Sequence, residues 1–234
     1  MVCGEKLQYR EKAVQLVCSF CNRPDVGHIV CPNGHYICEQ CHNQDAMRLI
    51  EEIILTTDSV NPHDTAELAF SLPGLPMLGC AHASIAGGAL MAALKNEGTA
   101  SVGNDEIREV LQRTSRQAHG GYCGLTGVCG IAPALGACIS VLTGARCGTD
   151  EPQRTTMELV TRVTRAITDL TGPSCCKAYV RASLEVAVAF LAENLAIALP
   201  GSRDVPCQYM ARHPHGCRKK QCPYFAAKPV SAPG

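Results

Sequence analysis

The 234-residue chain has no tryptophan, few aromatic side chains of any kind (4%) and no net charge, its 21 basic residues being matched by 21 acidic ones. Without a positive balance there is no broad attraction to a polyanion, and without aromatic rings there are no platforms for unpaired bases. Nucleic acid is therefore not an expected partner. The opening MVCGEKLQYREKAVQLVCSFC carries charge throughout and lacks the apolar stretch of a secretory signal. No P-loop, dinucleotide fingerprint, G-x-S-x-G elbow, H-E-x-x-H pair or C-x3-C-x2-C radical-enzyme run occurs. Residues 120–145 are uncharged over a length that could cross a bilayer, but their seven Gly and Pro133 fit a buried, tightly packed element better than a lipid-facing helix.

Cysteine is what the chain has in excess, with sixteen. Disulfide scaffolds are short and secreted, whereas this chain is 46% hydrophobic and long enough to fold around a core. The thiols are accordingly expected to be reduced, the compartment cytoplasmic, and the setting anaerobic or reducing.

Helical periodicity dominates the rest. Met47, Ile50, Ile53 and Ile54 repeat at helical spacing behind Asp45, which is placed as an N-cap. A short helix is expected around DTAELAFSL, and SIAGGALMAALKNEG should stop at Gly98. NDEIREVLQRTSRQ presents Ile107, Val110 and Leu111 on one face behind Asn104 or Asp105. TMELVTRVTRAITDLTG sets Leu159, Val163 and Ile167 in a stripe, and KAYVRASLEVAVAFLAENLAIAL sets Val180, Leu184, Val188 and Leu191 in register up to Pro200-Gly201. The predicted fold class is mainly α: a helical Cys-rich domain at 46–204, a zinc ribbon or RING-like knuckle module at 1–45 behind a charged lead-in, and a basic Cys-rich tail at 205–234.

Two C-x2-C knuckles, Cys18/Cys21 and Cys38/Cys41, form a tetrahedral zinc pattern, because each knuckle offers two thiolates from one turn. These four cysteines are assigned to one structural zinc. With Cys31 and His35 between the knuckles, the order resembles the start of a RING finger. The later C-x2-C that would complete a second site is missing. Cys31 and His35 are thus spare: alternative ligands, supporting groups, or buried side chains.

In the helical domain, GGYCGLTGVCG wraps Cys123 and Cys129 in glycine, which lets backbone approach a bulky cluster and aim N–H groups at sulfur. GPSCCK places Cys175 and Cys176 at a helix start, where the dipole should favour thiolate. Cys123, Cys129, Cys175 and Cys176 are expected to form one further centre, an iron–sulfur cluster of the [4Fe–4S] type. Cys207, Cys217 and Cys222-Pro223 in the tail can supply three thiolates to a cluster with one open iron, or join a shared centre. Cys138 and Cys147 read as small hydrophobes. Near Cys80 and a helix start, His82 is a candidate proton-transfer group beside Cys175 and Cys176 as catalytic residues.

Taken together, CPNGHYICEQCH, GGYCGLTGVCG, GPSCCK and GCRKKQCPYF resemble domain-of-unknown-function family 5714, a Cys-rich family of anaerobic archaea and bacteria, over about residues 18–225. In that family G-P-E-H-H stands where this chain has Gly79 to Ala83, so its first His corresponds to His82. The leading functional reading is an enzyme of anaerobic sulfur or one-carbon metabolism, an iron–sulfur-dependent lyase or sulfur transferase with a small-molecule or sulfur-carrying partner. The alternatives are a metal- or redox-responsive binding module and a thiol-based sulfur carrier using Cys175 and Cys176.

Overall fold

The computed structural model describes residues 3, 5–170, 172–201 and 206–225, apart from the side chains of Glu39, Gln40, His42 and Asn43. The expected boundary between residues 204 and 205 lies outside the described residues. The chain divides into two compact units, residues 1–45 and 46–234.

In the first unit, strand β1 (Gln8–Val17) pairs antiparallel with β2 (Pro24–Val30), with an irregularity between Tyr9 and Val14. The charged lead-in is therefore largely strand. Its polar side chains hid this because β1 is exposed along almost its whole length, so no apolar alternation was needed.

Helix α1 runs Glu39–Thr56 and contains the boundary between the units. Asp45 lies inside it and does not cap it. The second unit continues with α2 (Pro62–Phe70), α3 (Ala81–Glu97), α4 (Asn104–Gln117), α5 (Tyr122–Thr126), α6 (Ile131–Thr143), α7 (Glu151–Asp169) and α8 (Cys176–Leu195). The mainly α class is as the periodicity indicated. Asn61 caps α2, its side-chain oxygen accepting the His63 N–H at 3.0 Å. The α4 cap is Gly103, one residue before the expected position, with the Glu106 carboxylate accepting the Gly103 N–H at 2.8 Å. The uncharged stretch breaks into α5 and α6, and no helix among the described residues is long and apolar enough to cross a membrane. Helix α8 ends at Leu195, short of the apolar pattern, because Ala196 turns left-handed (φ +55°).

Helix α3 is the axis of this unit. It is buried on every side from Ala81 to Leu94 and touches α2, α4, α6 and α8. Its small residues make this possible. A Cβ on Gly88 would lie 2.1 Å from Ile54 Cδ1, and one on Gly87 would lie 3.3 Å from the Ala134 carbonyl. The faces read from sequence are buried as expected: Ile107, Val110 and Leu111 on α4, Leu159, Val163 and Ile167 on α7, Val180, Leu184, Val188 and Leu191 on α8. Cys138 sits in this core, its thiol donating to the Gly87 and Ala134 carbonyls at 3.4 Å, whereas Cys147 is exposed rather than buried.

Gly88→Ala should overpack the contact with Ile54 and cost about 1–3 kcal/mol. Thermal unfolding followed by circular dichroism would register this as a fall in Tm of several degrees, and an unchanged Tm would show that the contact gives way freely.

Candidate metal and thiol sites

The Cys18, Cys21, Cys38 and Cys41 sulfurs all lie within 4.8 Å of one another. Zinc–thiolate bonds of about 2.3 Å in a tetrahedron put sulfurs about 3.8 Å apart, and Cys21 Sγ stands 3.7 Å from Cys38 Sγ. Burial raises the Cys18 thiol, but the N–H groups of Cys21, Cys38 and Phe20 outweigh it and bring the pKa down to about 6. Beside Arg23 the Cys21 thiol is also lowered, while Cys41 is pushed up to about 12 by its hydrogen bonds with Cys21 and Cys38. Thiolates crowded this closely oppose one another's ionisation unless a cation joins them, which is what a tetrathiolate metal site supplies. These four residues could hold a metal ion.

A second group in the same unit was only half legible. Cys31 and His35 meet Cys3, all three donor atoms lying within 4.8 Å of one another. Cys3 Sγ is 3.4 Å from Cys31 Sγ, Cys31 Sγ is 3.7 Å from His35 Nδ1, and Asn33 Nδ2 donates to Cys3 Sγ at 3.7 Å. The Glu5 backbone N–H and the Cys31 thiol lower Cys3 to about 7. The missing partner thus lies before the knuckles, not after them. The two ligand sets interleave along the chain, a cross-braced order that the missing later C-x2-C had argued against. Cys3 escaped notice because its sequence neighbourhood holds no second ligand.

In the second unit the thiols are arranged differently. Cys175, Cys207, Cys217 and Cys222 line one small cavity with Arg181, His213, Arg218 and Tyr224. The tail is folded onto the start of α8 to achieve this. Cys207 N–H donates to the Tyr224 carbonyl at 2.8 Å, His213 Nε2 donates to the Ser174 carbonyl at 3.0 Å, Arg212 reaches the Leu75 carbonyl at 3.2 Å, and the Tyr224 hydroxyl donates to Glu185 at 3.1 Å. Backbone N–H groups two residues on point back at two of the sulfurs, Tyr209 to Cys207 at 3.4 Å and Lys219 to Cys217 at 3.3 Å. Arg181 is clamped by Glu67 through bonds of 2.5 and 2.8 Å.

Outside the first unit, no three donors among the described residues come within 4.8 Å of one another. The cavity sulfurs are therefore too far apart for a single tetrahedral ion. The cavity they line is narrow, about 20 Å³.

The structure parts the quartet expected from sequence. Cys175 belongs to the cavity, while Cys176 does not line it and accepts the Gly79 N–H at 3.5 Å. Neither thiol is activated by the helix start. Burial pushes both up, Cys176 to about 12, against the opposing pull of the Ala178 and Gly79 N–H groups. The dipole argument was overtaken by desolvation.

His82 is 1% exposed with both ring nitrogens engaged. Its Nδ1 donates to the Gly79 carbonyl at 3.0 Å and its Nε2 accepts from Lys177 Nζ at 3.1 Å. Burial, then the Lys177 charge, hold its pKa at about 3. Lys177, also 1% exposed, sits 4.7 Å from the centroids of both Phe70 and Tyr209. Burial and the nearby Arg212 depress its pKa to about 8. The residue follows the Cys pair directly, and a lysine in the first turn of the helix, next to two thiols, was the signal that could have singled it out.

A profile for one family matches residues 50–225 of this chain. The chain belongs to the family of unknown function DUF5714. The match takes in α2 to α8 and the whole cavity, and excludes the first unit with its two donor groups. No curated protein and no solved structure matches the chain.

Alanine at Cys18 should release metal from the four-thiol group and alanine at Cys3 from the three-donor group, each without emptying the other. Zinc content by plasma mass spectrometry would check this, with retained helical circular dichroism showing that the DUF5714 unit still folds.

Proposed function

We propose that the protein is an iron–sulfur protein with a zinc-stapled N-terminal module, its cluster held by Cys175, Cys207, Cys217 and Cys222 in a reducing compartment, the cytoplasm. The observation that carries this reading is the convergence of these four thiols, from the start of α8 and from the tail, on one cavity at a spacing too wide for a single ion. The surroundings suit an anionic cluster. Arg181, Arg218 and, behind the wall, Lys177 and Arg212 supply positive charge, and the N–H groups of Tyr209 and Lys219 are aimed at sulfur. When bound, such a cluster supplies one-electron exchange at a potential set by these charges and hydrogen bonds.

Four thiolates leave no iron open to a substrate, so this geometry favours a redox-responsive centre over the open-iron lyase or sulfur transferase suggested for sulfur or one-carbon metabolism. A metal-free sulfur carrier is less favoured. The Cys175 and Cys176 thiols are both held in the protonated, weakly nucleophilic form, and their side chains join different surroundings. His82 serves in this reading to hold Lys177 in place beneath the cluster, with its own proton fixed on Nδ1.

The chain purified and reconstituted without oxygen should be coloured and contain iron and acid-labile sulfide, and Cys217→Ala should lower iron by about four atoms per chain, the content of one [4Fe–4S] cluster. A colourless chain holding only zinc would overturn the proposal.

A further inference from the structure

Parting the vicinal pair leaves Cys176 among a different set of thiols. Cys175 precedes α8 in extended conformation (φ −132°, ψ 102°) and Cys176 is the first helical residue, so their side chains leave the backbone in different directions. The Cys176 sulfur lies 3.5 Å from the Gly79 nitrogen, one residue before Cys80, which stands at the N-cap of α3. The first turn of α3 also receives the turn that carries Cys129. A Cβ on Gly130 would lie 3.5 Å from Ala83 Cβ and 2.7 Å from Ala118 Cβ, and Cys129 and Cys80 both pack at the margin of the core. Cys123 precedes this turn on α5, whose ends are fixed by left-handed Gly121 and Gly127 (both φ +78°). Close approach at Gly130 sets the turn that carries Cys129 beside the first turn of α3.

The groups are close enough for charge on Cys129 or Cys123 to be felt at Cys176, and for charge on Cys123 to be felt at Cys129. As in the cavity, no three of these sulfurs lie within 4.8 Å of one another, so they do not form a preorganised site for a single ion.

We propose that Cys80, Cys123, Cys129 and Cys176 ligate a second iron–sulfur cluster, so that the adjacent residues Cys175 and Cys176 serve two different clusters. Neighbouring ligands in one short run are divided between clusters in the same way in two-cluster ferredoxins. The inference rests on the iron–sulfur reading of the cavity for its metal, and on separate residues for its site. It also gives Cys80 a role.

The test is iron and acid-labile sulfide per full-length chain after oxygen-free reconstitution, with electron paramagnetic resonance of the dithionite-reduced protein. Two [4Fe–4S] clusters correspond to about eight iron and about eight sulfide per chain. Cys129→Ala and Cys80→Ala should each remove about half of both while keeping the cavity's signal. Cys217→Ala should remove the other half, and the spin interaction between the clusters should vanish in all three variants. The wild-type stoichiometry needs no variant to fold. About four iron per chain, unaffected by Cys129→Ala, overturns the second cluster and leaves the first. The same total lost equally through Cys129→Ala and Cys217→Ala means one shared centre and also overturns it. No iron at all overturns the reading of the cavity instead.

Discussion

Burying a thiolate is tolerable only beside positive charge, and this constraint organises both halves of the molecule. In the N-terminal module four sulfurs crowd to tetrahedral spacing, and the Cys41 thiol is driven up to about 12 by its neighbours. Only a cation at their centre lets all four ionise. In the DUF5714 unit the sulfurs stand apart, and the protein itself supplies cations around them. Lys177 is the most costly of these. It is buried with no carboxylate among the described residues at hydrogen-bond distance, held by one imidazole and two aromatic faces. Such a residue is tolerated where negative charge can face it, and Glu67, Cys175 and Cys176 are the groups near enough to supply it.

The helices explain how the thiols come to be where they are. A core built on α3 and its small residues brings several helix starts and loop ends to the same region, and the cysteines of interest sit there: Cys80 before α3, Cys129 before α6, Cys175 before α8. The strands of hydrogen bonds from Cys207, Arg212, His213 and Tyr224 then fasten the tail across this region. Packing and chemistry are thus divided between helix bodies and helix ends, a division that lets ligands be placed without putting polar atoms into the apolar layers.

Much of this was legible in the residues. The α4 and α7 faces followed from their 3.6-residue repeat, and Gly98 ended α3 with φ +85° as a left-handed stop should. The paired knuckles announced the four-thiol group that could hold a metal, because both halves of each pair are local. What could not be read is what depends on long-range closure. Cys3 joins Cys31 across twenty-eight residues, and nothing near it marks it as a ligand. Asp45 failed as a cap because the helix extends back through polar residues whose pattern carries no apolar period. The raised thiols of Cys175 and Cys176 failed the dipole argument for a related reason: sequence shows that a residue begins a helix, and does not show what covers it.

The same reasoning accounts for the division of the vicinal pair. Adjacent residues cannot both aim at one point when the first is extended and the second helical, so a Cys-Cys step at a helix start addresses two directions by construction. The tail occupies one direction and the start of α3 the other. A chain that needed a single centre would gain nothing from the second cysteine, and its burial would be better served by an apolar side chain. Retaining both sulfurs half-buried, each with a backbone N–H turned towards it, makes physical sense where each has its own positive partner to meet.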